Sequence, residues 1–159
     1  MLCERIVALS EAEAWEDARL EWRLEFVYFA DRADPGTCLC GHHPIIECCV
    51  MRNVENRRST TVGNCCVKRF MDLSSEYVFQ GMRKIKSDPT SSMNVEAADF
   101  AFLRGWISGW EHGFYLDVWR KRRLSVKQAA VKERINEKVL ARMADVASRA
   151  RSRERAERG

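Results

Sequence analysis

No stretch of about 18 uncharged apolar residues occurs in the chain, so nothing in it reads as a membrane-spanning helix. The opening Met1-Leu2-Cys3-Glu4-Arg5 carries an acid where a secretory leader would carry only bases before an apolar run. Export and membrane association are therefore disfavoured, and a cytoplasmic protein is expected. Also missing are a glycine-rich phosphate loop, a His-Glu-x-x-His metal helix and the His-x-Glu with Pro-Cys-x-x-Cys pattern of deaminases. Their absence leaves an enzyme poorly supported, and the expectation is a protein without catalytic residues. No internal repeat of about 20 residues or more is visible, which disfavours a solenoid.

The chain does hold enough apolar material for a core. Hydrophobic residues make up 46% of its 159 residues and charged ones 31%, too apolar a balance for a wholly disordered chain. Its length suits one compact domain, expected over residues 1–147, followed by a basic tail at 148–159 that is either a frayed helix or disordered. The net charge of +4 hides an asymmetry. Residues 120–159 hold 14 Lys and Arg against 5 Asp and Glu, whereas the preceding 119 hold 13 against 18. Such polarity suits an acidic partner, a nucleic acid, or the chain's own N-terminal part.

Hydrophobic spacing sketches the elements. Ser10-Glu11-Ala12-Glu13 has the form of a capping box, and Trp15, Ala18, Trp22, Phe26 and Phe29 follow at helical steps, predicting a helix that ends at Asp34-Pro35-Gly36. Pro44 to Asn53 reads as a buried strand, Val54 to Arg58 as its turn and Ser59 to Val62 as the returning strand. Cys65 to Met71 opens a short helix with Val67 and Phe70 on one side, and Ser74 caps another running to about Lys86. Asn94 caps a helix continuing through Trp106, Trp110 and Trp119, with a break expected near Gly105, Gly109 or Gly113. Ser125-Val126-Lys127-Gln128 is a second capping-box sequence, opening a last helix whose thin apolar face includes Val126, Ile135, Val139 and Met143.

Six of the seven cysteines fall between Cys38 and Cys66. In a reducing compartment such thiols persist as thiols or bind metal. Cys38-Leu39-Cys40-Gly41-His42-His43 sets two thiols and two imidazoles in one short run, with a glycine that lets the backbone curl. Four donors close a tetrahedral zinc site, and the last must come from afar. The expected set is Cys38, Cys40, His42 and Cys66 around one structural Zn²⁺, with His43, Cys49 and Cys65 as substitutes. Cys48 and Cys49 sit on opposite faces of a strand, so at least one is a small core residue. Cys65 or Cys66 paired with a histidine would make a nucleophile, but zinc claims the same atoms. Glu47 and Glu55 are the local acids for a catalytic ion, which favours a structural one.

The runs Cys38-x-Cys40-Gly41-His42-His43-Pro44-Ile45, Val50-Met51-Arg52-Asn53 and Val62-Gly63-Asn64-Cys65-Cys66-Val67 together resemble a cysteine-rich element of small proteins from phages, bacteria and large DNA viruses. Trp110 to Tyr115, the stretch Lys121-Arg122-Arg123-Leu124-Ser125-x-Lys127-Gln128 and Ile135-Asn136 resemble the C-terminal part of the same proteins. The likeness implies a zinc element, at residues 37–71, and a viral or mobile-element origin; it implies no activity.

The combined expectation is an α+β, helix-rich fold in which about five helices surround a zinc-stapled β-hairpin, with a long basic C-terminal helix. Its expected task is to bind a host protein or ribonucleoprotein complex of nucleic-acid processing or defence, in the host cytoplasm. The alternative is direct DNA or RNA binding, with Arg120, Lys121, Arg122, Arg123 and Lys127 on the phosphates and Tyr115 and Trp119 stacking on bases.

Overall fold

A computed structural model describes residues 1–71 and 75–159. Among them are seven α-helices and one three-stranded antiparallel sheet, so the fold is α+β and helix-rich. The helices are α1 (Leu2–Leu9), α2 (Trp15–Ala18), α3 (Asn64–Met71), α4 (Ser75–Ser87), α5 (Val95–Leu103), α6 (Gly109–Val118) and the long α7 (Val126–Arg158). The strands are β1 (Trp22–Phe29), β2 (Glu47–Asn53) and β3 (Ser59–Gly63). The expected cap at Ser74 lies outside the described residues. No described helix is long and apolar enough to cross a membrane.

The chain divides into two compact units, Met1–Leu73 with Val146–Gly159, and Ser74–Asp145. In the first, β2 is the central strand. It pairs with β1 from Trp22↔Asn53 to Phe29↔Glu47 and with β3 from Cys48↔Gly63 to Arg52↔Ser59. Cys48, Cys49, Val50 and Met51 are all buried, as a strand covered on both faces requires. The turn Val54 to Arg58 and the returning strand fall where the sequence places them.

The helix expected from Ser10 onward is not formed. Ser10 instead closes α1: its hydroxyl donates to the Ile6 carbonyl at 2.8 Å and accepts the Trp22 indole N–H at 2.8 Å. The free amides of Glu11 and Ala12 go to the carboxylate of Glu21, at 2.9 and 2.7 Å. After the single turn of α2 and a 3-10 turn at Arg19–Glu21, the chain extends into β1. Trp22-Arg23-Leu24-Glu25-Phe26-Val27-Tyr28-Phe29 is dense in aromatic and β-branched side chains, which suit a pleated surface. A register shift between Leu24 and Phe26 gives Glu25 no opposite residue. That bulge breaks the two-residue alternation and leaves a spacing that mimics a helix.

The second unit is helical. Asn94 caps α5 by accepting the Ala97 amide, and the chain breaks at Gly105, whose φ of 71° is left-handed. A capping box absent from the sequence reading opens α6, with Ser108 and Glu111 exchanging hydrogen bonds. The Ser125–Gln128 pair forms as expected, at 3.1 Å in both directions. Ile135, Val139, Met143, Val146 and Ala150 form the buried stripe of α7, while Val126 is exposed. The helix runs on through the arginine-rich stretch to Arg158, and Ala150 gives it an apolar contact there.

Candidate metal centre

The segment between β1 and β2 carries the cysteine knuckle. Gly36 and Ile45 exchange two backbone hydrogen bonds at 2.9 Å, closing its base. Within it the Cys38 amide donates to the His42 carbonyl at 2.9 Å and the Gly41 amide to the Cys38 carbonyl at 2.8 Å. This tight curl needs Gly41 at a φ of 96°, a conformation that costs a residue with a β-carbon. The Leu39 amide donates to Thr61 of β3 at 3.0 Å, tying the knuckle to the sheet.

The β2–β3 hairpin then returns the chain to the same place, and α3 packs against both strands. Cys66 sits in the first turn of α3. The Sγ atoms of Cys38, Cys40 and Cys66 all lie within 4.8 Å of one another, and Cys40 and Cys66 are 3.7 Å apart. Three sulfurs at about 2.3 Å from one tetrahedral zinc would stand about 3.8 Å from each other. The donor set and spacing therefore fit a metal ion, and this cluster is a possible metal site.

The thiols differ in acidity. Burial pushes Cys38 up, against hydrogen bonds from the amides of Gly63 and Cys40. The Gly63 amide meets Cys38 Sγ at 3.2 Å, the kind of outer contact that orients a sulfur ligand. Burial and then the neighbouring Cys38 charge push Cys66 up to about 12. Burial also works against Cys40, but hydrogen bonds from the His42 amide and the two neighbouring thiols hold it below the ordinary thiol range. A bound cation would stabilise three thiolates together.

The two histidines separate clearly. His43 Nδ1 lies 3.1 Å from both Thr37 Oγ1 and the Gly36 carbonyl, away from the cluster. His42 lines the same cavity of about 510 Å³ as Cys38, Cys40 and Cys66, although its ring is not within the 4.8 Å group. Of the remaining substitutes, Cys65 is exposed and Cys49 is buried in β2, and neither joins the three thiols. Cys48 is a core residue as well: burial pushes its thiol up to about 11. Glu47, which borders the cavity, accepts the Asn64 side-chain amide at 2.9 Å.

Arg120, Lys121, Arg122, Arg123 and Lys127 are all exposed where α6 gives way to α7. The Arg120 guanidinium lies 4.5 Å over the Trp119 ring. Tyr115 is not available for stacking on bases. It is fully buried, its hydroxyl accepts the Met93 amide and donates to Asn136 Oδ1, both at 2.7 Å. Part of the C-terminal charge is answered inside the first unit, where Arg151 binds the side chain and carbonyl of Asp34 and Arg155 approaches the same carboxylate at 3.8 Å.

No family model matches the chain, and neither a curated protein nor a solved structure matches it.

Proposed function

We propose that this chain is a zinc-binding accessory protein of phage type, in which Cys38, Cys40, Cys66 and His42 hold one structural Zn²⁺ and the folded surface binds a host protein or ribonucleoprotein complex. The observation that carries the metal is the meeting of three sulfurs from segments 26 residues apart. His42 is the fourth donor because it borders the same cavity and His43 is engaged elsewhere. A structural ion is favoured because Glu47, the carboxylate at the cavity, is held by Asn64 rather than poised over the thiols. Zinc supplies the closure of the knuckle onto α3, a contribution of about 10 kcal/mol in small domains.

The test is purification without chelator, with metal content and native mass measured on one sample. One zinc per chain is expected, with a lower melting temperature after chelation. Cys38→Ser, Cys40→Ser and Cys66→Ser each abolish stoichiometric binding, His42→Ala weakens it about 10- to 100-fold, and His43→Ala leaves it unchanged. A folded, metal-free chain whose melting ignores strong chelators refutes the reading. Capture of one host complex that survives nuclease treatment supports the partner. Direct nucleic-acid binding is the second reading, favoured by the exposed Arg120–Arg123 run and the guanidinium held over Trp119. Retention lost to nuclease, with affinity falling steeply with salt, selects it.

A further inference from the structure

The turn between β2 and β3 and the last part of α7 enclose a second concavity, of about 580 Å³, with Arg52, Arg57, Arg58 and Arg153 in its walls beside the hydroxyls of Ser59 and Thr60. One carboxylate, Glu157, faces these four guanidiniums. Arg52 is shared with Glu25 at 3.5 Å. Among the described residues, no carboxylate lies within ion-pair distance of Arg57, Arg58 or Arg153. Like charges that outnumber their counter-charges repel one another, so the arrangement raises the energy of the free protein and lowers that of an anion complex.

The turn that presents two of these arginines is held firmly. Asn53 Oδ1 accepts the amides of Glu55 and Asn56 at 2.8 and 3.1 Å, and Asn56 Oδ1 accepts the Arg58 amide at 3.0 Å. Asn56 Nδ2 donates to the Leu9 carbonyl at 2.9 Å, anchoring the turn to α1. Arg57 has a φ of 63°, and it is the one described residue other than glycine with a positive value. Glycine or asparagine would adopt that backbone at lower cost. Strain of this kind gathers at ligand sites, where it aims a side chain. A smaller hollow of about 240 Å³ continues the surface, sharing Ser59, Thr60, Arg153 and Glu157 and adding Arg5, Arg158 and one further carboxylate, Glu154.

We propose that this arginine-lined concavity binds phosphate groups presented in series, as in a polyphosphate or the sugar-phosphate backbone of a nucleic acid. The guanidinium fork matches phosphate oxygens in pairs, and serine and threonine hydroxyls add donors that carry no charge of their own. Continuation of the basic surface into the adjoining hollow suits a run of phosphates better than one small anion. The site goes beyond the zinc reading and does not rest on it.

The test uses the full chain, with metal content recorded for every preparation so that the zinc reading is scored separately. Binding of a fluorescent single-stranded oligonucleotide is followed by anisotropy, with tripolyphosphate as competitor. Arg57→Asn should raise the melting temperature, because asparagine tolerates the left-handed backbone, and yet weaken binding about tenfold. Arg153→Ala, at an exposed helical position away from the turn, should also weaken binding about tenfold, and each removed arginine should shallow the salt dependence by about one unit of slope. Arg134→Glu with Arg142→Glu, exposed positions of α7 in the other unit, should leave this binding within about threefold of the parent if the concavity holds the phosphates. Displacement by tripolyphosphate supports recognition of phosphate alone; an oligonucleotide lost in the variants but not displaced by tripolyphosphate assigns the site to the nucleic-acid backbone. Absence of binding by both probes at low salt, or parental affinity in Arg57→Asn and Arg153→Ala, overturns the proposal.

Discussion

Glu21 is a buried carboxylate, and burial alone would raise its pKa. The amide of Glu11, the Asn53 side chain and the amide of Ala12 outweigh that and hold it below the ordinary carboxylate range. A folded pKa that is depressed means that the stabilisation is complete above the unfolded value and is lost as pH falls through the folded one. The melting temperature should therefore drop across that acid window, and Glu21→Gln should flatten the drop. At neutral pH the same variant should cost about 1–3 kcal/mol, because one of its amide hydrogens faces donors, as denaturant unfolding would measure. Nothing in the sequence singles Glu21 out among its neighbouring acids, since its role depends on amides ten residues earlier and on Asn53 across the sheet. Cys38, Cys40 and Cys66 were legible because thiols clustered at metal-like spacing carry their own signal. Choosing between His42 and His43 was harder, because Thr37 and the Gly36 carbonyl decide which ring turns away.

At the scale of elements, helix propensity and helix packing oppose each other at Gly81, whereas propensity acts alone at Gly113. A β-carbon on Gly81 in α4 would stand 2.3 Å from Asn94 Oδ1 and 2.5 Å from Ala97 Cβ, so the close approach of α4 and α5 depends on its absence. Gly81→Ala should destabilise the protein by about 1–3 kcal/mol despite alanine's better propensity. Gly113 in α6 faces open space, and Gly113→Ala should stabilise by about 0.5–1 kcal/mol in the same denaturant titration. The hairpin, the helix after it and the capped starts at Asn94 and Ser125 were legible, because turn chemistry and side-chain caps act within a few residues. β1 was not. Its bulge at Glu25 hides the strand period, and its partner β2 begins 18 residues after it ends, beyond any local pattern. The box at Ser108 was hidden among glycines that argued against a helix start.

For the whole molecule, the first unit is discontinuous: Met1–Leu73 is completed by Val146–Gly159, with Ser74–Asp145 between them as the second unit. Asp34 receives Arg151 and Arg155 from the distant segment, and Val146 and Ala150 are buried there. A chain ending at Asp145 should keep slow amide exchange within α4 to α6 and lose protection in the sheet, read by hydrogen-exchange mass spectrometry. The charge asymmetry that marked residues 120–159 was legible as a count, but its destination was not. Net charge carries no address, and part of it is spent on Asp34.

Translation delivers these pieces in a fixed order. The ribosome releases the sheet and its cysteines first, then the contiguous second unit, and only afterwards the stretch bearing Ala150 and Arg151. Throughout synthesis of the middle, the opening half waits without its closing stretch of helix, so early capture of a metal ion by its thiols would protect the nascent chain well before its last turn of helix arrives. A message broken off late would yield a sound second unit attached to a first one that never closes.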